Sequence, residues 1–151
     1  MPSRLAAVFA PRRVVHAHCD IPCGIYDPAT AEIAAQTVYN MNKKLNELGV
    51  GPGDLNWANT VARMVKVKEE HADTCKHELW VLWTDFFKPE HLDQFPDLHD
   101  VFWKATKAVS TARRGIDMDA SQALKDAVAQ IKAMFQKANG AAAATVVTPV
   151  G

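Results

Sequence analysis

Apolar residues recur along much of the chain at intervals of three and four, which is the spacing of α-helices that bury one face. This periodicity predicts four helices, at about residues 28–48, 56–86, 97–111 and 119–140. No stretch shows the alternation of apolar and polar residues that is typical of a half-buried strand. Four amphipathic helices with short connections favour an all-α fold, an antiparallel up-down-up-down four-helix bundle.

The apolar positions also predict which face of each helix points inward. The predicted inward positions are Ile33, Thr37, Met41, Leu45 and Leu48 in the first helix, Trp57, Val61, Met64, Val65, His71, Cys75, Leu79, Leu82 and Phe86 in the second, Leu98, Val101, Phe102, Ala105 and Val109 in the third, and Leu124, Val128, Ile131 and Phe135 in the fourth. Asp27 is the predicted N-cap of the first helix and Gly49 its C-cap. Asp119 and Gln122 have the spacing of a capping box at the start of the fourth helix.

Composition and charge narrow the class of protein. The chain has 151 residues, which is enough for one domain with a sizeable core. Its hydrophobic content of 48% and charged content of 23% are ordinary for a globular protein. The formal net charge is zero, so there is no electrostatic case for a nucleic-acid partner. No apolar run approaches the roughly 18 residues of a membrane span, and we expect no membrane partner.

The first 17 residues are basic and contain no acidic residue. Their apolar piece, residues 5–10, is short for a secretory signal, and Pro11-Arg12-Arg13 follows it. Val15-His16-Ala17 has the small residues of a cleavage site. A leader removed after Ala17, a secretory leader and a retained disordered extension are therefore all open. We expect one domain at residues 18–140 and a disordered small-residue tail at residues 141–151.

One segment, which we call the hook, concentrates the reactive side chains: residues 18–28, with the sequence HCDIPCGIYDP. Pro22 and Gly24 punctuate it, which predicts a shaped N-terminal loop and not a helix. Cys19 and Cys23 bracket three residues, so a turn can bring both sulfur atoms to one point, and thiolates are soft metal ligands. The spacing alone leaves a zinc or copper site, a redox pair and a disulfide open.

The other cysteine and the histidines bear on these alternatives. A non-catalytic zinc or copper site would draw on Cys19, Cys23 and either His71 or Cys75, whereas a disulfide between the two hook cysteines would staple a secreted bundle. Three cysteines are an odd count, which argues against a simple disulfide framework. We expect Cys75 to be buried like a small apolar residue. The remaining histidines of the predicted helices and connections have no metal spacing with the hook and are expected to be structural or surface residues: His77, His91 and His99.

The hook resembles the metal hook of nickel superoxide dismutases almost letter for letter. The resemblance continues at residues 82–89 (LWTDFFKP) and 95–99 (FPDLH), and it covers roughly residues 18–139. It implies an oxidoreductase that disproportionates superoxide to dioxygen and hydrogen peroxide with a nickel ion that cycles between Ni2+ and Ni3+. It also implies a homohexamer, and it favours a cytoplasmic protein whose leader a maturation peptidase removes after Ala17, with export as the alternative.

The same resemblance implies the site residues. The nickel ligands would be the thiolates of Cys19 and Cys23, the deprotonated backbone nitrogen of Cys19 and the α-amine of His18, with the His18 imidazole as an axial ligand. The α-amine exists only once residues 1–17 are gone. Sulfur and nitrogen donors suit nickel, whereas zinc has no redox chemistry. Tyr26 would lie over the open face of the metal, so His18 and Tyr26 are the predicted catalytic residues.

Three positions depart from the family pattern. Ala34 and His71 stand where better-known members have a Glu and an Arg that steady the axial imidazole. Phe86 stands where they have a Tyr. We expect His71 either to take part of the missing role or to be a satisfied core histidine. Lys88 matches a family lysine near the entrance of the site, where it could attract superoxide.

Overall fold

The computed structural model describes residues 24–142. They form four α-helices, with two short irregular helices between the second and the third: α1 (Ala29–Leu48), α2 (Leu55–Val81), a π-helical turn (Leu82–Phe86), a 3-10 helix (Pro89–Asp93), α3 (Leu98–Arg114) and α4 (Met118–Ala142). Residues 24–142 contain no strand, and the all-α prediction is confirmed. None of the helices in this range is long and apolar enough to cross a membrane. The predicted leader and residues 143–151 of the predicted tail lie outside the described residues.

The helices form a closed ring of neighbours, as the bundle prediction requires. α1 packs mainly against α2 and α4, α3 packs mainly against the same two helices, and contacts between α1 and α3 are few. The connections from α1 to α2 and from α3 to α4 are short, which makes these pairs antiparallel. Between α2 and α3 the chain folds back through residues 82–97, and the hydrogen bonds Lys68–Gly115 and Trp83–His99 at opposite ends show that this pair is antiparallel too. One end of the bundle therefore carries the start of α1, the end of α2, the start of α3 and the end of α4. We call this end the hook pole, because the hook joins α1 there, and the opposite end the distal pole.

The inward faces of α3 and α4 are confirmed at every predicted position. These buried residues are Leu98, Val101, Phe102, Ala105 and Val109 in α3 and Leu124, Val128, Ile131 and Phe135 in α4. They form one continuous core with the buried side chains of α1 and α2. Large branched and aromatic side chains make the period of these two helices easy to detect in the sequence.

The predicted inward face of α1 is wrong at its start. Ile33 is 66% exposed, and of the predicted positions only Leu45 is buried. The face that α1 buries consists of Ala31, Ala34, Ala35, Val38, Asn42 and Leu45. Alanine side chains let the backbone of α1 come close to its neighbours, so close packing favours the alanine face over the face that carries Ile33.

α2 shows a similar shift in its N-terminal half. The predicted inward positions there are exposed or only partly buried: Trp57, Val61, Met64 and Val65. The first buried residues of the helix are Lys68, at its middle, and Ala72, one turn further on. Toward the C-terminal end the prediction is confirmed at Cys75, Leu79 and Leu82, which are buried, while His71 and Phe86 are partly buried. Exposed apolar residues are thus left in two places: Ile33 on α1 toward the hook pole, and Leu55 and Val65 of α2 toward the distal pole.

The caps of α1 follow the sequence prediction to within one residue. The Asp27 carboxylate accepts a hydrogen bond from the backbone N–H of Ala29 at 2.8 Å, although Pro28 is the residue that flanks the first helical position. Gly49 ends the helix as predicted. Its φ is 62°, a left-handed conformation that favours glycine, and its N–H donates to the carbonyl oxygen of Leu45 at 3.2 Å.

The predicted capping box of α4 is wrong. The cap is Asp117, whose carboxylate accepts the N–H of Asp119 at 2.8 Å and that of Ala120 at 3.3 Å. Gln122 donates its side-chain amide to Asp126 instead of reaching back to the helix start. Asp117 and Asp119 are both acceptable N-cap residues in the sequence. Because α4 begins at Met118, the carboxylate of Asp117 is the one that reaches the first free N–H groups of the helix. α4 also continues to Ala142, beyond the stop predicted near residue 140.

Three side chains from α1 and α2 bind the carbonyl oxygens at the end of α3, at the distal pole. Asn42 Nδ2 donates to Ala112 at 3.0 Å, Asn46 Nδ2 donates to Ile116 at 2.6 Å, and Lys68 Nζ donates to Gly115 at 2.8 Å. The last carbonyl groups of an α-helix lack partners within the helix. These bonds therefore satisfy the end of α3 and hold the turn into α4 against the first two helices.

Candidate functional site

The predicted ligands His18, Cys19 and Cys23 lie outside the described residues, so their assignment stays a prediction. The described chain begins inside the hook at Gly24, whose φ of 70° lies in the left-handed region that glycine adopts without strain. α1 begins five residues later, at Ala29, so the C-terminal end of the hook is joined directly to the bundle. Within residues 24–142, no group of three or more His, Cys, Asp and Glu side chains is arranged to hold a metal ion.

Tyr26 lies against the aromatic end of the core at the hook pole. Its half-buried ring meets Phe86 edge-on, with the ring centroids 5.6 Å apart and an interplanar angle of 60°. Aromatic pairs favour this edge-to-face geometry. The contact holds the phenol ring of a residue that follows the predicted ligand Cys23 by three positions in the sequence.

The π-helical turn supplies the platform for Tyr26. The N–H of Phe87 donates to the carbonyl oxygen of Leu82 at 3.0 Å, a bond across five residues that makes this turn wider than an α-helical one. The Phe86 ring packs against Phe135 of α4, with centroids 4.5 Å apart, and against Phe87 at 4.9 Å. Periodicity alone predicts a continuous helix here and gives no sign of the turn or of Phe135 as a site residue. π-helical turns within helices often lie at functional sites.

Lys88 follows the turn and is exposed at the hook pole. It borders a groove of about 120 Å³ whose other walls are Phe87, Pro89, Leu92, Leu98 and His99. His99 Nδ1 accepts a hydrogen bond from Trp83 Nε1 at 2.9 Å, so the neutral ring carries its proton on Nε2. An exposed cation and an imidazole N–H beside one small groove suit the attraction of a small anion.

Comparison with known proteins decides the family. The sequence profile of nickel-containing superoxide dismutases matches residues 13–139. The chain belongs to this family. It is 41% identical over 131 residues to superoxide dismutase (Ni) of Streptomyces seoulensis, which covers 87% of this chain and 95% of that protein. The corresponding protein of Streptomyces coelicolor is 39% identical over the same shares.

The fold agrees with that of solved nickel superoxide dismutases. The native structure of one nickel superoxide dismutase matches with a TM-score of 0.70 and 37% identity, over 81% of this chain and 99% of that one. A second structure, with nickel ligation corresponding to the oxidised state, matches with a TM-score of 0.71 and 38% identity, over 82% and 99%. The bundle described here is therefore the scaffold of the nickel superoxide dismutase family.

The structure shows the surroundings of two residues at which this chain departs from the nickel superoxide dismutase pattern, Ala34 and His71. Ala34 is buried in α1, and His71 is half-buried in α2. His71 Nδ1 lies 2.8 Å from the carbonyl oxygen of Val67, and because a carbonyl only accepts, Nδ1 is the donor. His71 thus has a partner in its own helix, and only Nε2 is left for another group. A role beside His18 stays a prediction.

Cys75 bears on the alternative metal site. It is a free, fully buried cysteine, and burial, with a smaller contribution from the charge of Glu78, raises the pKa of its thiol to about 12. Its sulfur is enclosed in the apolar core, and among residues 24–142 no group of three or more His, Cys, Asp and Glu side chains that could hold a metal ion includes it. This argues against a zinc or copper site that combines Cys75 with Cys19 and Cys23. The expectation of a buried cysteine that packs like an apolar residue is confirmed.

Proposed function

We propose that this chain is a nickel-dependent superoxide dismutase, which converts superoxide to dioxygen and hydrogen peroxide. The observation that carries the proposal is the family match over residues 13–139, which includes the whole hook. The hook keeps both cysteines and the histidine that precedes them, so the departures from the family pattern affect only surrounding positions.

The donor set of the hook fits nickel. Cys19 and Cys23 provide two thiolates, and His18 provides an imidazole and, after cleavage, an α-amine. Soft sulfur and nitrogen donors of this kind suit nickel, whereas magnesium and calcium take oxygen ligands. We propose that these groups and the backbone nitrogen of Cys19 hold the ion. Nickel, when bound, would supply the one-electron exchange with superoxide.

Residues of the hook pole would control access and protons. Tyr26 carries a phenol hydroxyl at the hook pole. Its neighbour Phe86 carries none, whereas the better-known family members have a tyrosine at that position. The Phe86 contact fixes the Tyr26 ring, so its hydroxyl can order water near the site. Lys88 would attract the anionic substrate locally, which matters because removal of residues 1–17 leaves 14 basic against 17 acidic residues, a formal net charge of −3.

The mature enzyme is proposed to begin at His18. The α-amine of His18 becomes a donor only when the Ala17–His18 bond is cut, because the nitrogen of an intact peptide bond is a very poor ligand unless it is deprotonated. The leader, residues 1–17, would therefore keep the chain inactive until a peptidase cleaves after Ala17. We place this maturation and the activity in the cytoplasm.

A homohexamer is the assembly that we propose. The resemblance to the family motivates it, and exposed apolar side chains on α1 and at the distal pole support association: Ile33, Val50, Leu55, Val65 and Ile116. The hook is too short to bury a core of its own, so a neighbouring subunit would help to order it. Light scattering of the nickel-loaded protein should show the hexamer, and an active monomer would contradict it.

Metal analysis of protein purified from its own host tests the proposed function. We expect nickel and dismutase activity, and we expect Cys19→Ser and Cys23→Ser to lose both while the helical circular dichroism persists, because a neutral hydroxyl replaces a soft anion. Cys75→Ala is the matched control, since it removes the third thiol inside the bundle and should keep the metal and the activity. Stoichiometric zinc in place of nickel would contradict the proposed function.

A further inference from the structure

We propose that His91 is a positioning residue of the dismutase site, which holds Tyr26 through the Phe86 platform and holds the backbone of Lys88 through a hydrogen bond. The inference rests on the proposed function, because Tyr26 and Lys88 matter for catalysis only if the hook binds the redox metal. His91 lies in the 3-10 helix Pro89–Asp93 of the connection between α2 and α3.

The ring of His91 stacks on the platform. The His91 and Phe86 rings lie nearly parallel, with an interplanar angle of 13° and centroids 5.8 Å apart. His91 also meets Phe87 edge-on, at 5.5 Å and 82°. Phe86 is thereby held between His91, Phe135 and Tyr26. Without the imidazole, Phe86 would lose its stacked partner in the connection and gain freedom to tilt, and the Tyr26 ring that rests on it would follow.

The imidazole also closes the turn that carries Lys88. His91 Nδ1 accepts a hydrogen bond from the backbone N–H of Lys88 at 2.9 Å, and the His91 N–H donates to the Lys88 carbonyl oxygen at 2.9 Å. This reciprocal pair fixes the His91 ring and the Lys88 backbone together. Because Nδ1 accepts, the neutral ring carries its proton on Nε2.

Neither contact alone requires a histidine. A phenylalanine would stack on Phe86 with a similar area, and an asparagine would accept the Lys88 N–H, as it does at helix caps. Histidine makes both contacts with one side chain. It thereby couples the position of Tyr26, which would cover the site, to that of Lys88, which would attract the substrate. His91→Phe and His91→Asn separate the two functions.

Tyrosine signals test the contact with the platform. The chain has two tyrosines, Tyr26 and Tyr39. Tyr39 lies between α1 and α4, with Lys125 Nζ 4.5 Å from the centroid of its ring. In a Tyr39→Phe background, Tyr26 is therefore the sole tyrosine that gives a signal. In the metal-free full-length chain with labelled tyrosine, His91→Asn should shift or broaden the Tyr26 ring signals in NMR spectra, and His91→Phe should leave them in place. Unchanged signals in His91→Asn would overturn this part of the proposal.

Amide exchange tests the bond to Lys88. Loss of a neutral hydrogen bond of ordinary strength corresponds to about a fivefold change in an equilibrium constant, so the Lys88 amide should exchange about fivefold faster in His91→Phe. It should keep its protection in His91→Asn. Equal exchange rates in the wild type and in His91→Phe would overturn the proposed bond.

A second histidine of the same pole provides the control. His99 bonds Trp83 and contacts its ring, so His99→Asn makes the same chemical change at a position outside the Phe86 stack. It should leave the Tyr26 signals in place, and an equal shift there would mean that any change at this pole disturbs Tyr26. In the nickel-loaded enzyme, His91→Asn should lower kcat/KM by up to about tenfold, the size of one aromatic contact. A wild-type kcat/KM in that variant would show that the stack does not act on catalysis.

The two spectroscopic tests need no nickel. If the protein proves to bind zinc and to lack dismutase activity while His91→Asn still moves Tyr26, the contact network stands and the proposed function fails. If the enzyme is active and Tyr26 does not respond to His91, the function stands and the positioning role of His91 fails.

Discussion

Lys68 of α2 donates a hydrogen bond from Nζ to the backbone carbonyl oxygen of Gly115, at 2.8 Å, where α3 ends. The side chain is buried, and among the described residues no carboxylate forms an ion pair with it. Burial lowers the pKa of Lys68, and the charge of Glu69 opposes that shift in part. The C-terminal end of a helix carries partial negative charge, which favours a cationic donor at this point. A buried amine thus joins the second helix to the turn between the third and the fourth.

Replacing Lys68 with Met should lower the free energy of unfolding at neutral pH by about 1 to 3 kcal/mol, because the Gly115 carbonyl loses its buried partner. The difference between the wild type and Lys68→Met should also grow as the pH rises toward 10.5. The pKa of Lys68 is lower in the folded state, so between the two pKa values the unfolded chain binds more protons and stability rises with pH. Urea unfolding from pH 7 to 10.5 measures both effects. A difference that does not vary with pH would contradict the burial argument.

Cys75 should have the opposite effect in the same alkaline range. The pKa of its thiol is raised to about 12 in the folded state from an ordinary value of 9.0, so its contribution to stability is complete below pH 9 and is lost as the pH rises toward 12. The loss amounts to about 1.4 kcal/mol for each pH unit in that window. Relative to Cys75→Ala, the wild type should therefore lose stability above pH 9 in urea titrations. Parallel curves for the two proteins would mean that the thiol ionises equally well in both states.

The fold was largely predictable from the sequence, and the wrong inward face of α1 has a clear physical cause. In α3 and α4 the core consists of large side chains such as Phe102 and Ile131, so the period of burial is plain in the sequence. In α1 the core face consists of alanines, while Ile33 lies outside, because close approach of helices selects small residues that a hydrophobic count undervalues.

For the candidate site, the sequence predicts the metal ligands, whereas only the structure shows which residues hold Tyr26. The predicted ligands rest on the resemblance of the hook to the family's metal hook, since spacing alone leaves several metals open. The platform of Tyr26 could not be predicted, because Phe86 and Phe135 are about fifty residues apart in sequence and meet only after a π-helical turn widens the end of α2. The contacts of His91 with Phe86 and Lys88 likewise depend on how the connection folds back.

Changing Tyr26 to Phe should leave metal binding intact, because the ring can keep its edge-on contact with Phe86. The rate, or the inhibition by small anions such as azide, should change, because the variant lacks the hydroxyl that we propose to order water at the site. Phe86→Tyr is the complementary variant, since it restores the hydroxyl of the family pattern beside Tyr26. Steady-state dismutation and azide titration of the nickel-loaded proteins measure both. Identical kinetics and anion sensitivity in Tyr26→Phe would leave Tyr26 with a packing role alone.

Removal of the leader is the test that best distinguishes the proposed nickel site from a zinc site or a disulfide. If the α-amine of His18 binds nickel, the bond between Ala17 and His18 must be cut before the enzyme works. In the uncut chain that nitrogen belongs to an amide, and one extra residue would move the free amine away from the two sulfur atoms of Cys19 and Cys23. A zinc site or a disulfide built from side chains alone would be indifferent to the cut.

Three forms of the chain test this: the full chain, a chain that begins at His18 and a chain that keeps Ala17 in front of it. The form that begins at His18 should bind nickel and dismutate superoxide, and the other two should show little or no activity. All three share residues 24–142, so equal thermal unfolding of the metal-free proteins would show that any loss comes from the metal site and not from the bundle. The chain that keeps Ala17 is the strictest control, because it retains a free amine and differs by one residue. Equal activity in all three forms would remove the amine from the coordination sphere and reopen the side-chain sites.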